Sequence, residues 1–224
     1  MGNFTASFSH EFHELVRINS KNKFVLIREI RGEQKNTAMK ILDEKQIRQK
    51  IRRLTIEILE RNLDEPEIIL AGINNNGLEM ANLLMQELVG RTEAHITLTR
   101  LRLNPASPTQ HPIVLEMPIE QVAGKVVIIV DDVANTGRTI YYAIKPLLDV
   151  LPKKVEVAVL VDRKHKSFPI SSDYVGLSLA TTLKENIEVQ IRGVDEWAVS
   201  FWNRQVVQYT LIDRAWPLRY LFLE

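Results

Sequence analysis

Two adjacent carboxylates, Asp131 and Asp132, form the part of this sequence best suited to chemistry. They end a run of five β-branched residues, 126–130, which is typical of a buried strand. The turn Thr-Gly-Arg-Thr at 136–139 follows and leads into an apolar helical pattern. Paired carboxylates hold ribose hydroxyls or a magnesium ion, and backbone N–H groups of a glycine turn at a helix start bind phosphate. The segment therefore predicts a site for a sugar that carries a diol and a 5-phosphate.

An ordinary helix N-cap after a strand uses the same residue types without any ligand. Here the apolar strand, the acidic pair, the Thr-Gly step and the final threonine occur together in one order. This joint occurrence favours the phosphosugar site over the simple cap.

The composition indicates a globular protein without thiol chemistry. With 224 residues, 45% of them hydrophobic, the chain is long enough to bury a full core. Cysteine is absent, which excludes disulfides and thiolate metal sites and favours a reducing compartment. No apolar run approaches the roughly 18 residues of a membrane span, and the polar N-terminus lacks a signal-peptide core. We therefore expect a cytoplasmic protein with no membrane partner, and at a formal charge of +1 any nucleic-acid binding requires a local patch.

Apolar strands alternate with helical patterns through the middle of the chain, which predicts a doubly wound α/β sheet. The proline-rich segment 100–118 lacks helical periodicity and is expected to be an excursion over a site. A further helical pattern opens at Met39. The predicted strands are 68–73, 94–99, 126–130 and 155–161, with shorter ones near 174–179 and 187–193, and the predicted helices are 78–88 and 140–151.

Both ends of the chain differ from the middle. Residues 1–39 are polar and poorly periodic, with one possible strand at 24–30, and they are interpreted as an extension that is not native or as an oligomer-building arm. Residues 195–224 hold all three tryptophans, which favours packing against the body or a partner. The predicted catalytic domain is 40–194.

The strand, the acidic pair and the Thr-Gly turn resemble the phosphoribosyl-pyrophosphate (PRPP) loop of type I phosphoribosyltransferases. Residues 41–43, 58–62, 159–165 and 169–176 are similar to the pyrimidine-operon attenuator and uracil phosphoribosyltransferase family. The resemblance covers roughly residues 40–194. It implies a mostly parallel, doubly wound sheet with helices on both faces and a small hood.

In such enzymes a base nitrogen displaces pyrophosphate from the anomeric carbon, through a transition state with oxocarbenium character. Positioning and Mg²⁺ supply most of the catalysis. By resemblance, Asp131 and Asp132 engage the ribose hydroxyls directly or through the metal. The 5-phosphate lies within the loop formed by Val133, Ala134, Asn135, Thr136, Gly137, Arg138 and Thr139.

A second loop of the family receives pyrophosphate through backbone N–H groups and usually a basic side chain. Here it reads Gly72, Ile73, Asn74, Asn75, Asn76 and Gly77, without Lys or Arg. The glycines fit a tight anion-binding turn, and the asparagines also suit a solvent-exposed turn. Arg100 and Arg102, in the expected hood, are candidates for the missing charge, or else ordinary surface arginines.

Base recognition is expected from Asp162, Arg163 and His165, and from the chain near Tyr174 and Val175. Arg163 suits base carbonyls and Tyr174 suits stacking, whereas a lone histidine is more often a surface residue. Purine-using relatives place an aspartate at position 135, where this chain has asparagine. A pyrimidine or a nonstandard substrate is therefore favoured over hypoxanthine or guanine, and the resemblance implies uracil.

The resemblance leaves two further functions open. One is a nucleotide-sensing regulator that binds RNA, with candidate phosphate contacts from the basic residues of the first helix. A solvated helix face beside Glu57 and Glu60 is the favoured explanation of those residues. The other is an assembly partner acting through the tryptophan-rich tail. A homodimer or higher homo-oligomer is expected by resemblance. The basic residues are Lys45, Arg48, Lys50, Arg52 and Arg53.

Overall fold

The computed structural model describes residues 14–18, 24–28, 38–180, 185–191, 193–194 and 196–203. The chain divides into two units, Ala38–Asn203 and a second one made of Met1–Thr37 with Arg204–Glu224. In the second unit, β1 (Glu14–Ile18) pairs antiparallel with β2 (Phe24–Arg28). The latter falls within the strand predicted at 24–30, whereas β1 has no counterpart among the predicted strands.

The larger unit is built from strands and helices that alternate along the chain, as the sequence predicts. Its helices are α1 (Glu44–Arg61), α2 (Asn74–Leu88) and α3 (Arg138–Ala143). Its strands are β3 (Ala38–Asp43), β4 (Glu67–Ile73), β5 (His95–Arg102), β6 (Val114–Leu115), β7 (Val126–Ala134), β8 (Lys154–Arg163), β9 (Tyr174–Leu179), β10 (Glu185–Gln190) and β11 (Ala198–Asn203).

A six-stranded sheet in the order β6-β5-β4-β7-β8-β9 forms the centre of this unit. All pairs are parallel except β5–β6 at one edge. Helices α1 and α2 cover one face, where Ile47, Leu54 and Leu84 are buried with alternate residues of the strands. Helix α3 and two short 3₁₀ helices cover the other face, through Ile140 and Leu147. Helices on both faces confirm the doubly wound α/β fold. Strands covered on both faces need the near-continuous apolar runs that the sequence contains.

Helix α1 begins at Glu44, so the prediction that a helical pattern opens at Met39 is wrong. Asp43 caps the helix through a reciprocal capping box, in which Gln46 N donates to Asp43 Oδ1 at 2.8 Å and Asp43 N donates to Gln46 Oε1 at 2.9 Å. The residues before the cap pair with β11, far away in sequence. The local apolar spacing does not reveal such a partner.

A small antiparallel sheet in the order β10-β11-β3 lies beside the parallel one. It places Ala198–Asn203 within the larger unit, beyond the boundary predicted at residue 194. Trp197 packs against the core, and the guanidinium of Arg48 lies 4.1 Å from its ring centre. The side chain of Trp202 and all of Trp216 lie outside the described residues.

Two predicted helix boundaries differ from the structure. Helix α2 starts four residues earlier than predicted, directly after β4. The helix predicted at 140–151 instead ends at Ala143 and continues as a 3₁₀ helix, Lys145–Asp149. Pro146 lies at its start, and a proline there lacks the N–H that an α-helix requires. Within the described residues, no helix is long and apolar enough to cross a membrane.

Candidate active site

A cavity of about 530 Å³ opens at the carboxyl edge of the parallel sheet, where the ends of β4 and β7 meet. A recess of about 40 Å³ adjoins it, enclosed by Asp131 and residues 133–140. Asp131, Val133, Asn135 and Thr139 line both spaces. The cavity is lined by Ile73, Asn74, Asn75, Asn76, Pro105, Asp131, Asp132, Val133, Asn135, Thr139, Ile187, Glu188 and Val189.

The acidic pair belongs to the last part of β7, beyond the strand end predicted at residue 130. Asp131 is 8% exposed, and its Oδ1 accepts a hydrogen bond from Asp132 N at 3.0 Å. Burial, together with the neighbouring charge of Asp132, raises the pKa of Asp131 well above its usual value. Asp132 is more accessible and accepts from Val133 N at 2.9 Å. The carboxyl of Asp131 therefore holds its proton more strongly than an ordinary aspartate does.

Residues 134–139, here called the phosphate-type loop, are held in place by the segment that follows β8. Ser167 N and Phe168 N both donate to Thr136 O, at 3.0 and 3.1 Å. Gly137 has a φ of 81°, a left-handed conformation that favours glycine, and it caps α3. These contacts shape the recess beside Asp131.

The guanidinium of Arg138 is held by a residue outside this loop. Its Nη2 donates to the backbone oxygen of Pro105 at 2.8 Å, so the guanidinium ties the loop to the excursion between β5 and β6. Pro105 itself lines the cavity. Arg138 thus links the phosphate-type loop to a segment that borders the cavity.

Lys166 is a residue of the site that the sequence interpretation missed. Its Nζ donates to the oxygens of Ala134 and Arg163, at 3.0 and 2.8 Å, and forms an ion pair with Asp162. The Lys166 side chain is only 15% exposed, and Ser172 Oγ also donates to the Asp162 carboxylate. The i, i+4 spacing of Asp162 and Lys166 was the available sequence signal. Lys166 joins the loop after β8 to the phosphate-type loop after β7.

The three asparagines form the first turn of α2, and the turn predicted at 72–77 is an abrupt junction between β4 and this helix, with a positive φ at Asn74. Asn74, with a φ of 51°, accepts from Leu103 N at 3.1 Å. Asn75 Oδ1 accepts from Arg100 Nη1 at 2.9 Å, and Asn76 Nδ2 donates to Asp132 Oδ2 at 3.0 Å. The three amides therefore join this helix start to three different places: the segment after β5, β5 itself and the end of β7.

The glycines that flank this turn serve packing. A Cβ on Gly72 would lie 2.4 Å from Leu78 Cα, and one on Gly77 would lie 2.4 Å from Val130 O. Only glycine allows the start of α2 to approach the central strand so closely. The position of the helix start relative to Asp131 depends on this approach.

Arg100 and Arg102 lie in β5 rather than in the excursion, and both pair with Glu116. The hydrogen bond from Arg100 lowers the pKa of Glu116. Arg100 is 21% exposed on its side chain and reaches Asn75, while its Nε is buried without a hydrogen-bond partner among the described residues. Among the described residues, Arg102 contacts none that lines the cavity. The structure thus brings Arg100, and not Arg102, to the asparagine turn.

Tyr174 and Val175, which the sequence predicts to recognise the base, do not line the cavity. Tyr174 is fully buried at the amino end of β9, where its hydroxyl donates to Glu156 at 2.9 Å and accepts from Asn62 at 3.0 Å. Val175 follows it, and its carbonyl accepts from Arg53 at 2.9 Å. The sheet register puts Tyr174 level with Val130 and Val175 level with Asp131, so burial and these hydrogen bonds, rather than position along the sheet, keep both residues out of the cavity.

The loop after β8 lies behind the cavity wall. Arg163 is 8% exposed, and its Nη1 donates to Asn135 Oδ1 at 3.1 Å. Asp162 is paired with Lys166, and His165 is exposed on the surface. None of the three is among the described residues that line the cavity. Arg163 reaches the cavity wall through Asn135.

Strand β10 contributes Ile187, Glu188 and Val189 to the cavity, which the sequence interpretation also missed. The two apolar side chains are buried in the core, while Glu188 between them is exposed. Their period-2 alternation was the signal for a half-buried strand. The small antiparallel sheet brings β10 close to β7.

The basic residues of α1 are mostly paired with carboxylates. Arg48 contacts Glu44, Arg53 contacts Glu57, and Arg52 lies 3.6 Å from Glu87. Lys45 and Lys50 form no ion pair among the described residues. This arrangement agrees with a solvated, salt-bridged helix face.

The oxygen donors at the strand tip fit Mg²⁺. Within the described residues, no cluster of three or more acidic or histidine side chains forms a complete metal site. Mg²⁺ is usually bound by one or two carboxylates together with substrate phosphates, and Asp131 and Asp132 supply such a pair.

Residues 37–194 match the model of the phosphoribosyl transferase domain family. The bifunctional protein PyrR of Halalkalibacterium halodurans is 39% identical over 167 residues, covering 69% of this chain and 91% of that protein. The bifunctional protein PyrR of Clostridium acetobutylicum is 38% identical over 170 residues, covering 72% and 94%. A hypoxanthine-guanine phosphoribosyltransferase structure from Bacillus anthracis, 18% identical, aligns with a TM-score of 0.54 over 62% of this chain and 81% of that one, which shows the fold alone. The chain belongs to the phosphoribosyltransferase family, within the group of the bifunctional PyrR proteins.

Proposed function

We propose that the protein transfers the phosphoribosyl group of PRPP to uracil and releases pyrophosphate. One observation carries the proposal: a single cavity joins the carboxylate pair, the phosphate-type recess and the start of α2. These three parts match the diol, the 5-phosphate and the pyrophosphate of PRPP. The choice of uracil rests on the resemblance to the attenuator and uracil phosphoribosyltransferase family.

In the proposed reaction a uracil ring nitrogen forms a bond to the anomeric carbon as the bond to pyrophosphate breaks. The electron pair of the broken bond leaves with pyrophosphate, and the ring nitrogen loses its proton to solvent. Asp131 and Asp132 hold the ribose hydroxyls, and the backbone of residues 134–139 holds the 5-phosphate. Catalysis then arises from alignment of the reacting atoms.

Asp131 and Asp132 would also hold Mg²⁺, which, when bound, reduces the negative charge on the departing pyrophosphate. The raised pKa of Asp131 is consistent with a carboxyl that gives up its proton when a cation or a diol replaces lost solvation. Asn76, which donates to Asp132, orients the second carboxylate towards the cavity.

Arg100 is the proposed source of positive charge at the pyrophosphate end. It reaches Asn75 at the cavity wall and is held at 2.7 Å by Glu116. Charge-assisted hydrogen bonds are about twice as strong as neutral ones, so one arginine offsets part of the loss of a basic residue in the loop. Glu116 competes for the same guanidinium, and pyrophosphate must displace it for a direct contact.

The test is pyrophosphate release from PRPP with uracil and Mg²⁺. The variant Asp131→Asn combined with Asp132→Asn is expected to lose activity by more than about 100-fold, since both diol contacts are weakened. Asp149→Asn, an exposed carboxylate in the 3₁₀ helix after α3, is the matched control and retains activity. Full activity in the double variant would remove these carboxylates from the mechanism.

The RNA-binding regulator finds less support in the structure, because the arginines of α1 are paired with glutamates. Salt-sensitive RNA binding without uracil turnover would favour the regulator over the enzyme.

A further inference from the structure

Two charged residues outside the cavity are joined to Arg100, the arginine at the pyrophosphate end. Arg100 and Arg102 lie on the same face of β5, since side chains two positions apart in a strand point the same way. Glu116 follows the edge strand β6, and its N–H donates to Arg100 O at 2.9 Å. One oxygen of its carboxylate, Oε1, contacts both guanidinium groups. The three side chains therefore form one cluster, which reaches the cavity wall through Asn75.

Arg100 has two side-chain partners and one unmet donor. Its Nη2 donates to Glu116 Oε1 at 2.7 Å and its Nη1 to Asn75 Oδ1 at 2.9 Å. Its Nε is buried without a hydrogen-bond partner among the described residues. A guanidinium has five N–H donors, and an unmet buried donor costs free energy. The hydrogen bonding of Arg100 is thus incomplete, and an anion bound beside Asn75 adds acceptors to it.

Glu116 is held by both arginines, which lowers the cost of releasing Arg100. Hydrogen bonds from Arg100, and secondly from Arg102, keep the pKa of Glu116 below its usual value. When Arg100 turns to another anion, Glu116 keeps its contact with Arg102 and is not left as an unpaired charge. Among the described residues, Arg102 in turn has no other ion-pair partner than Glu116. The exchange therefore needs no new partner for either residue.

We propose that Glu116 holds Arg100 while the pyrophosphate end is empty, and that Arg102 retains Glu116 once Arg100 binds pyrophosphate. This inference rests on the proposed function. Glu116 and Arg102 do not touch the ligand, and both are positioning residues that set the affinity for pyrophosphate through Arg100. Glu116 competes with the ligand for the guanidinium, whereas Arg102 competes with Arg100 for Glu116. Replacing the two residues therefore has opposite effects on pyrophosphate binding.

The experiment measures the binding of pyrophosphate and of ribose 5-phosphate by calorimetry with Mg²⁺ present. Glu116→Gln is expected to tighten pyrophosphate binding about 3- to 10-fold, because a neutral amide competes less for Arg100. Arg102→Gln is expected to weaken it about 2- to 5-fold, since Glu116 then binds Arg100 alone. This second effect is smaller because Arg102 is 59% exposed. The affinity for ribose 5-phosphate should stay unchanged in both variants, which also shows that they fold.

Double variants separate an effect through Arg100 from simple charge repulsion. In an Arg100→Gln background, Glu116→Gln should no longer tighten pyrophosphate binding. In a Glu116→Gln background, Arg102→Gln should no longer weaken it. A direct effect of either charge on pyrophosphate would persist in both backgrounds. In turnover, the single substitutions should change KM for PRPP in opposite directions and leave kcat nearly unchanged.

Glu87 offers a matched control, because its carboxylate also lies between two arginines, Arg91 at 3.2 Å and Arg52 at 3.6 Å. It lies near the far end of α2, about 20 Å from the helix start at a rise of about 1.5 Å per residue. Glu87→Gln should leave both affinities unchanged. Unchanged or weaker pyrophosphate binding in Glu116→Gln, or an equal gain in the Arg100→Gln background, would overturn this inference alone. Failure of the unaltered protein to bind pyrophosphate or ribose 5-phosphate would instead overturn the proposed function together with it.

Discussion

Lys166 provides the sharpest test of how the phosphate-type loop is held. Replacing it by methionine keeps most of the aliphatic stem and removes three contacts of Nζ, to Ala134 O, Arg163 O and the Asp162 carboxylate. The Asp162 carboxylate, 17% exposed, then retains Ser172 as a hydrogen-bond donor. The substitution therefore removes one side-chain link between the loop after β7 and the loop that supports it, while the backbone hydrogen bonds to Thr136 remain.

The magnitude follows from the burial of the pair. A hydrogen bond to a charged group contributes about 1.5–3 kcal/mol, and loss of one partner leaves part of the desolvation cost of the other. We expect Lys166→Met to lower the unfolding free energy by about 2–4 kcal/mol. For a domain of this size this corresponds to a decrease in Tm of roughly 5–15 °C. Without this anchor the phosphate-type loop must become ordered when a ligand binds. We expect this to lower the affinity for ribose 5-phosphate by about 10-fold or more.

Calorimetry with ribose 5-phosphate and thermal unfolding measure the two effects on the same samples. Lys164→Met, two residues away and exposed, is the matched control and should leave both unchanged. Lys166→Arg keeps the charge and the donors and should restore most of the affinity. If Lys166→Met bound ribose 5-phosphate with unaltered affinity, the loop would not depend on this anchor and the reasoning would fail.

Three further predictions concern other parts of the site. The pKa of Asp131 in the folded protein lies above its usual 3.8, so this carboxyl lowers the stability of the fold as the pH rises above that value. Asp131→Asn should therefore raise Tm more at pH 8 than at pH 4. An equal gain at both pH values would argue against burial as the cause. Gly77→Ala should destabilise the fold by about 1–3 kcal/mol in denaturant unfolding, because the new Cβ would lie 2.4 Å from Val130 O; unchanged stability would show that α2 shifts freely. Arg100→Gln should raise KM for PRPP by roughly 10-fold or more with a smaller effect on KM for uracil, and equal increases would indicate a general loss of structure.

The central features of the site were predictable because they depend on local sequence. A β-branched run must be buried on both faces, so the carboxylates that follow it emerge at the sheet edge. Gly137 and its neighbouring threonines predict the turn by their conformational and hydrogen-bonding properties. Asp131, Asp132 and the recess thus follow from a few consecutive residues.

The features that sequence reasoning missed depend on long-range pairing. Ile187–Val189 reaches the cavity because β10 pairs with β11, which in turn pairs with β3 from the start of the unit. No local pattern specifies such partners. Tyr174 is a similar case: its strand was predicted at 174–179, but the burial of its ring depends on Asn62 and Glu156, which are distant in sequence.

The arginines of this site act through amides rather than directly. Among the described residues, no Lys or Arg side chain lines the main cavity, yet Arg100 donates to Asn75 and Arg163 donates to Asn135. A guanidinium bonded to an amide oxygen polarises the amide and strengthens its N–H groups as donors. Beside its carboxylates, the cavity wall therefore presents neutral amide donors backed by one buried and one partly buried arginine. Such donors cost less to desolvate than a cation in the wall, and they also fix which atom each amide turns towards the ligand.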